Sequence, residues 1–224
     1  MFKFILMKKF VFNSLKVIFP KNVIVWRGKT NNKRIALTFD DGPNPERTLE
    51  ILRILKEHNI KATFFLVGEQ IMMAPNILEE IFKLGHLVGN HAYRHCHAKK
   101  NNEKEFIRGI NATQDLIRKT IGKAPIFFRP PHGELTLRIL LHIIKNRMVT
   151  VLWSVDPKDF QFNNLDLFLK QFYSQKFING DILLLHDNSH LMVRALPKII
   201  NFLKKNGFEF VTVSALLNKV EYHE

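Results

Sequence analysis

At 224 residues, 46% of them hydrophobic and 24% charged, the chain has the size and balance of a globular protein with one sizeable core, which excludes a disordered or fibrous polypeptide. A single cysteine, Cys96, excludes an intrachain disulfide. The formal charge of +14 calls for anionic partners, but no zinc-finger spacing or RNA-binding aromatic motif accompanies it, so nucleic acid is not expected among them.

The charge excess begins at the N-terminus. Lys3, Lys8, Lys9, Lys16, Lys21, Arg27, Lys29, Lys33 and Arg34 all precede Asp40, and no acid lies among them. Lys8, Lys9 and Lys16 also interrupt the apolar clusters of residues 2–19. The segment therefore lacks the roughly 7–15 continuous apolar residues of a signal peptide and the roughly 20 of a spanning helix. Residues 1–33 read as a basic, aromatic segment with two readings open. One is a helix lying on an anionic membrane surface; the other is a helix packed on the rest of the chain through Phe4, Val11, Leu15 and Ile18. The expected location is cytoplasmic, peripheral on the inner membrane face, with a secreted or surface-anchored protein as the alternative.

From residue 34 to 224 one domain is expected. Apolar runs at 34–39, 62–67, 87–90, 126–128, 149–154, 182–185 and 208–213 read as strands. Helical periodicity covers 45–57, 76–84, 103–121, 135–145, 165–174 and 191–205. Pro45 suits a first helical turn, and Gly85, Gly122 and Gly207 suit helix exits. Strands alternating with helices predict parallel βαβ units, hence an α/β fold. Asp40, Asp41, His91, Arg129, Asp156 and His186 all fall at or just after the C-terminal ends of predicted strands. An open sheet would spread them along an edge, whereas a barrel gathers them on one face. An irregular (β/α) barrel built on these seven strands is the expectation.

The chemistry lies in five segments. Asp40-Asp41-Gly42-Pro43 puts two carboxylates at a strand mouth, where one can hold a metal while the other moves protons. His91 and His95 are four apart, and on a helix they share a face. With Asp41 they make a two-imidazole, one-carboxylate set of the kind catalytic zinc accepts, with a position left for water. Arg129, stiffened by Pro130-Pro131, is the natural cationic partner of Asp40, which then serves as general base. His186 can protonate a departing amine, and Asp159 can orient it. The same donor set also describes non-haem iron oxygenases, but that chemistry leaves Asp40 and His186 without a task.

Taken in order, Thr38–Pro43, His91–His95, Arg129–Gly133, Trp153–Phe160 and Leu183–Asp187 resemble the motifs of the polysaccharide deacetylase family, over roughly residues 34 to 213. The resemblance implies a metal-dependent hydrolase that removes an acyl group from an N-acetylated glycan or a lipid-linked sugar precursor, with one divalent ion, zinc by preference, on Asp41, His91 and His95. It implies catalytic roles for Asp40, His186, Arg129 and Asp159. It also implies that the backbone N–H of His132 faces the oxyanion, that Phe160 walls the acyl pocket and that Leu184 meets the acyl methyl group. Three positions depart from the usual pattern: Ala92 replaces Ser or Thr, His132 replaces Tyr, and Phe160 replaces Trp. These bear on substrate choice and efficiency more than on reaction type. A catalytically weak glycan-binding relative is the competing class, and retention of Asp40 and His186 argues against it.

Overall fold

The computed structural model describes residues 23–98 and 102–223. Of the segment for which a surface helix is expected, residues 1–22 lie outside them, and within residues 23–33 the chain forms a two-residue strand rather than a helix. Among the described residues no helix is long and apolar enough to cross a membrane.

The strands are β1 (Ile24–Val25), β2 (Arg34–Asp40), β3 (Thr63–Leu66), β4 (Leu87–Asn90), β5 (Ala124–Pro125), β6 (Phe127–Phe128), β7 (Val149–Val151), β8 (Ile182–His186), β9 (Glu209–Phe210) and β10 (Tyr222–His223). The helices are α1 (Arg47–Glu57), α2 (Gly68–Met73), α3 (Pro75–Lys83), α4 (Glu103–Ile121), α5 (Leu137–Lys145), α6 (Leu165–Tyr173), α7 (His190–Lys205) and α8 (Val213–Leu217). Seven parallel strands run in the order β1-β7-β6-β4-β3-β2-β8, with β9 beside the start of β2. The sheet curls on itself. Val155, just past β7, forms a parallel bridge to Leu183 of β8, and Arg27, just past β1, bridges Asp181. The expected irregular barrel is therefore observed.

Strand faces explain the two main cores. Ile35, Leu37 and Phe39 of β2 join Phe64 and Leu66 of β3 and Leu183 and Leu185 of β8 under α1, α3 and α7. The alternate residues Ala36, Phe65, Leu87, Phe127, Val149, Val151 and Ile182 form a second cluster to which all seven strands of the path except β1 contribute in this set, and β1 adds Val25. A face shared by every strand is the barrel interior. Because both faces are buried, the strands read as continuous apolar runs rather than alternating ones.

Several boundaries differ from expectation for identifiable reasons. β1 lies ahead of residue 34, so the sheet begins earlier than the expected domain; two residues carry no readable period. The expected strand at 149–154 ends at Val151, because the following segment crosses to β8, where Ser154 Oγ donates to Asp181 at 2.7 Å. The strand expected at 208–213 is only Glu209–Phe210, because Thr212 caps α8 by accepting from Ala215 N. Helix α5 begins at Leu137 rather than 135, where Thr136 accepts from Ile139 N. Helix α2 was not expected; it follows β3 directly and is six residues long.

Candidate active site

Register brings the motif residues to one rim. Asp40 ends β2 opposite Phe65 of β3 and His186 of β8, while Asn90 ends β4 opposite Leu66 and Phe128. The residues that follow these strand ends, Asp41, His91 and Arg129, therefore emerge side by side with Asp40 and His186.

The Asp40 side is sealed. Thr38 and Asp40 point into the barrel on the Ala36 face, and Arg129 fills the space between them, fully buried. Its Nη1 donates to Asp40 Oδ1 at 2.7 Å and to Thr38 Oγ1 at 2.7 Å. Nε donates to the Val151 carbonyl at 3.0 Å and Nη2 to that of Leu152 at 3.2 Å. The guanidinium also lies 4.1 Å from the Phe65 ring centroid. Burial pulls the Arg129 group down and Asp40 pushes it back up, with burial the larger. A lysine could not reproduce this fork of contacts.

The two imidazoles converge by a route other than the expected one. Residues 91–97 form a loop, not a helix. Asn90 Oδ1 accepts from Ala92 N at 2.8 Å, and its amide donates to the Ile110 carbonyl and to Gln114. Ala92 then takes a positive φ of 63°, and the Ala92 and Tyr93 carbonyls accept from Gly68 N and Glu69 N at the start of α2. That turn, rather than helical periodicity, aims His91 and His95 at Asp41. His91 Nδ1 lies 2.7 Å from the Arg129 carbonyl. A carbonyl only accepts, so Nδ1 carries the proton and Nε2 presents a lone pair.

His91 Nε2 lies 3.6 Å and His95 Nε2 3.4 Å from Asp41 Oδ1. That oxygen is buried and has no hydrogen-bond partner among the described residues, while Oδ2 accepts from Asn188 at 3.2 Å. One donor atom from each of the three side chains falls within 4.8 Å of the others. The edges of a tetrahedron with 2.0–2.1 Å bonds are about 3.3 Å, so the spacing suits one small divalent ion. Burial by itself raises the Asp41 carboxyl, but His91, with His95 and His186, outweighs it and lowers the group to about 2. An orphaned carboxylate oxygen facing two imidazole nitrogens fits a cation. Cys96 is not in this donor set.

The His186 side is a clamp. Asp159 takes two donors of His186: Nδ1 at 2.7 Å and the backbone N–H at 2.9 Å. Burial lowers the imidazole, but Asp159, with Asp40 and Asp41, overrides it and pushes His186 up to about 9. Phe160 sets its ring edge-on to His186, with centroids 5.5 Å apart, and is 62% exposed. Leu184 is buried on β8 opposite Thr38.

Residues 27–151 match the polysaccharide deacetylase family. A peptidoglycan-N-acetylglucosamine deacetylase of Bacillus cereus is 40% identical over 200 residues, covering 88% of this chain and 72% of that protein. The chain belongs to the polysaccharide deacetylase family. Its reaction is the family's, hydrolytic removal of an acetyl group from an amino sugar of a glycan. The crystal structure of the Bc1960 peptidoglycan N-acetylglucosamine deacetylase, in complex with a naphthalenyl-N-oxidanyl-benzamide, superposes with a TM-score of 0.85 at 38% identity, covering 91% of this chain and 96% of that one. A family pseudoenzyme from Bacillus anthracis also shares the fold, with a TM-score of 0.81 at 28% identity over 91% of this chain and 72% of that one. The fold alone therefore does not decide activity in this family.

The three departures from the deacetylase pattern have distinct surroundings. Ala92 is buried in a cluster with Phe106, Ile110, Phe128 and Ile139, where a hydroxyl would be desolvated. His132, at φ 56°, stacks on His97 with centroids 3.9 Å apart and meets the His95 ring edge-on at 4.4 Å. His97 Nδ1 in turn lies 2.9 Å from Glu134 Oε1. His97, Glu134 and Asn188 were not singled out as site residues from the sequence. For His97 the signal was its place two residues after His95; nothing in the sequence marks Glu134 or Asn188.

Proposed function

We propose that this deacetylase acts on N-acetylated amino sugars of peptidoglycan, with one zinc ion held by Asp41, His91 and His95. The observation that carries the reading is the pairing on either side of the donor set: Asp40 locked by Arg129, and His186 locked by Asp159. The Bacillus cereus relative and the Bc1960 protein are named as peptidoglycan N-acetylglucosamine deacetylases, and a Bacillus subtilis relative, 36% identical over 91% of this chain and 44% of its own length, is named for N-acetylmuramic acid.

The chemistry supplied by a bound metal is Lewis acidity toward the acyl carbonyl and the attacking water. Asp40 takes a proton from that water as its oxygen bonds to the acyl carbon. Arg129 fixes the direction of the carboxylate and leaves Oδ2, 3.7 Å from His91 Nε2, turned toward the donor set. The backbone N–H of His132 faces the developing oxyanion. His186, protonated and held through Nδ1, delivers its Nε2 proton to the amine as the carbon–nitrogen bond breaks. The products are acetate and a free amino sugar. Leu184 and Phe160 line the space for the acetyl methyl group.

The test is acetate release from peptidoglycan fragments, chitooligosaccharides and a lipid-linked precursor, after the metal is stripped and zinc returned. Release from peptidoglycan fragments with zinc is expected. Glycan binding without release would align the chain with the pseudoenzyme and overturn the reading. His91→Ala and His95→Ala should each lose the metal by elemental analysis; unchanged stoichiometry would remove those ligands from the site.

A role at a membrane surface is a separate proposal, motivated by the acid-free run of basic residues before Asp40. Each lysine or arginine near anionic lipid is worth about 1 kcal/mol, within a Debye length. The full chain should co-sediment with anionic vesicles at low salt and release at high salt, and a chain starting at Asn22 should not bind. Equal, salt-insensitive partitioning of both would reject the anchor.

A further inference from the structure

Asp187 is a fully buried carboxyl with no task in the reaction above. It follows His186 at the end of β8 and lies behind the turn that carries Asp40 and Asp41. Its Oδ2 accepts the Thr48 hydroxyl at 2.5 Å, and the same hydroxyl oxygen accepts the Asn44 N–H at 2.7 Å. Its backbone N–H reaches the Asp40 carbonyl at 3.4 Å. A Cβ placed on Gly42 would come within 2.1 Å of Oδ2, so the turn closes directly on this carboxyl and admits only glycine there. Oδ1 is buried with no hydrogen-bond partner among the described residues. A desolvated, half-satisfied carboxyl is costly. Burial, with the charges of Asp41 and Asp40, pushes it up to about 7.

We propose that Asp187 is a positioning residue that sets the gap between general acid and general base, by holding the Asp40–Pro43 turn and the first turn of α1 against the strand that carries His186. The proposal rests on the assignment of Asp40 and His186 above. Its physical basis is that three otherwise separate pieces meet on one side chain: Gly42 by contact, Thr48 by a hydrogen bond, and His186 by the chain itself. Proton transfer needs heavy-atom approaches of about 2.6–3.2 Å. A misplacement of about 1 Å costs on the order of 10²-fold in rate. A clip that loosens should therefore reduce turnover while leaving the sugar-binding rim intact.

The experiment measures kcat and KM for acetate release by the zinc-loaded full chain carrying Asp187→Ala, Asp187→Asn, Thr48→Val, or Thr48→Val with Asp187→Ala. Zinc content and melting temperature are measured in parallel. Asp187→Ala and Thr48→Val should each lower kcat by about tenfold or more with KM little changed and zinc retained. Asp187→Asn keeps an oxygen toward Thr48 and should restore most of the lost kcat. The double variant should be no slower than the slower single one, because both break the same contact. Thr48→Val preserves side-chain shape and keeps the test decisive if Asp187→Ala does not fold. Full activity in both single variants, losses that multiply in the double, or losses that follow zinc content or folded fraction would overturn the clip. A parent chain that releases no acetate from any glycan tested would instead overturn the deacetylase assignment, and the clip with it.

Discussion

The two halves of the site are built differently. On the Asp40 side Arg129 is sealed in the barrel, spending four hydrogen bonds on Asp40, Thr38 and the carbonyls of Val151 and Leu152. On the acid side His186 retains some exposure, and its neighbour Phe160 stands largely in solvent. The first half is made of strand ends and shares its interior face with the core; in the second, His186 ends β8 while Asp159 and Phe160 are presented by the loop after β7. Barrel enzymes commonly separate these duties, with strand ends fixing the chemistry and loops meeting the substrate. Two of the three departures from the family pattern, His132 and Phe160, fall on loop residues that stand in solvent. The half in which Arg129 holds Asp40 carries none.

Arg129→Met should break the comparison most sharply. It leaves Asp40 buried and unpaired and strips partners from Thr38 and two carbonyls. Removing one partner of a buried pair costs about 3–5 kcal/mol. For a chain of this size that is roughly 6–20 °C in melting temperature, with turnover lost as well. His186→Ala should lower the melting temperature by less than half as much, because Asp159 keeps its backbone donor, the His186 N–H. Equal destabilisation of the two variants would mean that the halves are not distinct in the way their burial indicates. Asp40→Asn isolates the chemistry from the packing. It should keep the metal and lose about 10²–10⁴-fold in turnover, and a loss under about tenfold would transfer the base role elsewhere.

The sequence made the sealed half legible and the open half only partly so. β2 is a continuous apolar run that ends in two aspartates and a Gly-Pro turn, and every one of these signals is local. His91 and His95 were identified as partners on helical spacing, yet they meet because Asn90 and a left-handed Ala92 turn the loop. The residue choice survives because i, i+4 spacing is also what that loop requires. The Thr48–Asp187 contact spans 139 residues and that of His97 with Glu134 spans 37, so neither leaves a periodic trace. Helix α2 is too short for its apolar face to show a period, and β1 is shorter still.

The acid half can be probed without unfolding it. His186 is held up at about 9, chiefly by Asp159 against the effect of burial. A raised folded value means the proton is kept through neutral pH and lost as pH rises through about 9. Turnover should fall on that alkaline limb. The stability contributed by the pair should be complete below 6.5 and fade over the same rise. Asp159→Asn removes the carboxylate charge, so the limb should move toward lower pH and neutral-pH turnover should drop. A kcat profile from acid to alkaline pH measures this. A limb that stays in place in Asp159→Asn would show that another group donates the proton.

The smallest effect is expected at the outermost residue. Phe160→Trp restores the indole N–H of the usual pattern at a position already 62% exposed, beside the acid and outside the sealed half. An added hydrogen bond to substrate nets about 0.5–1.5 kcal/mol, or roughly two- to twelvefold in kcat/KM. The change should differ between a chitooligosaccharide and a peptidoglycan fragment, because the ring keeps its place against the acetyl group common to both while the added N–H reaches toward the sugar. Melting temperature should stay put, since the ring edge-on to His186 is its one aromatic contact among the described residues. A change near a hundredfold, equal on both substrates, would place Phe160 with the proton-moving residues and erase the division between a sealed half and an open one.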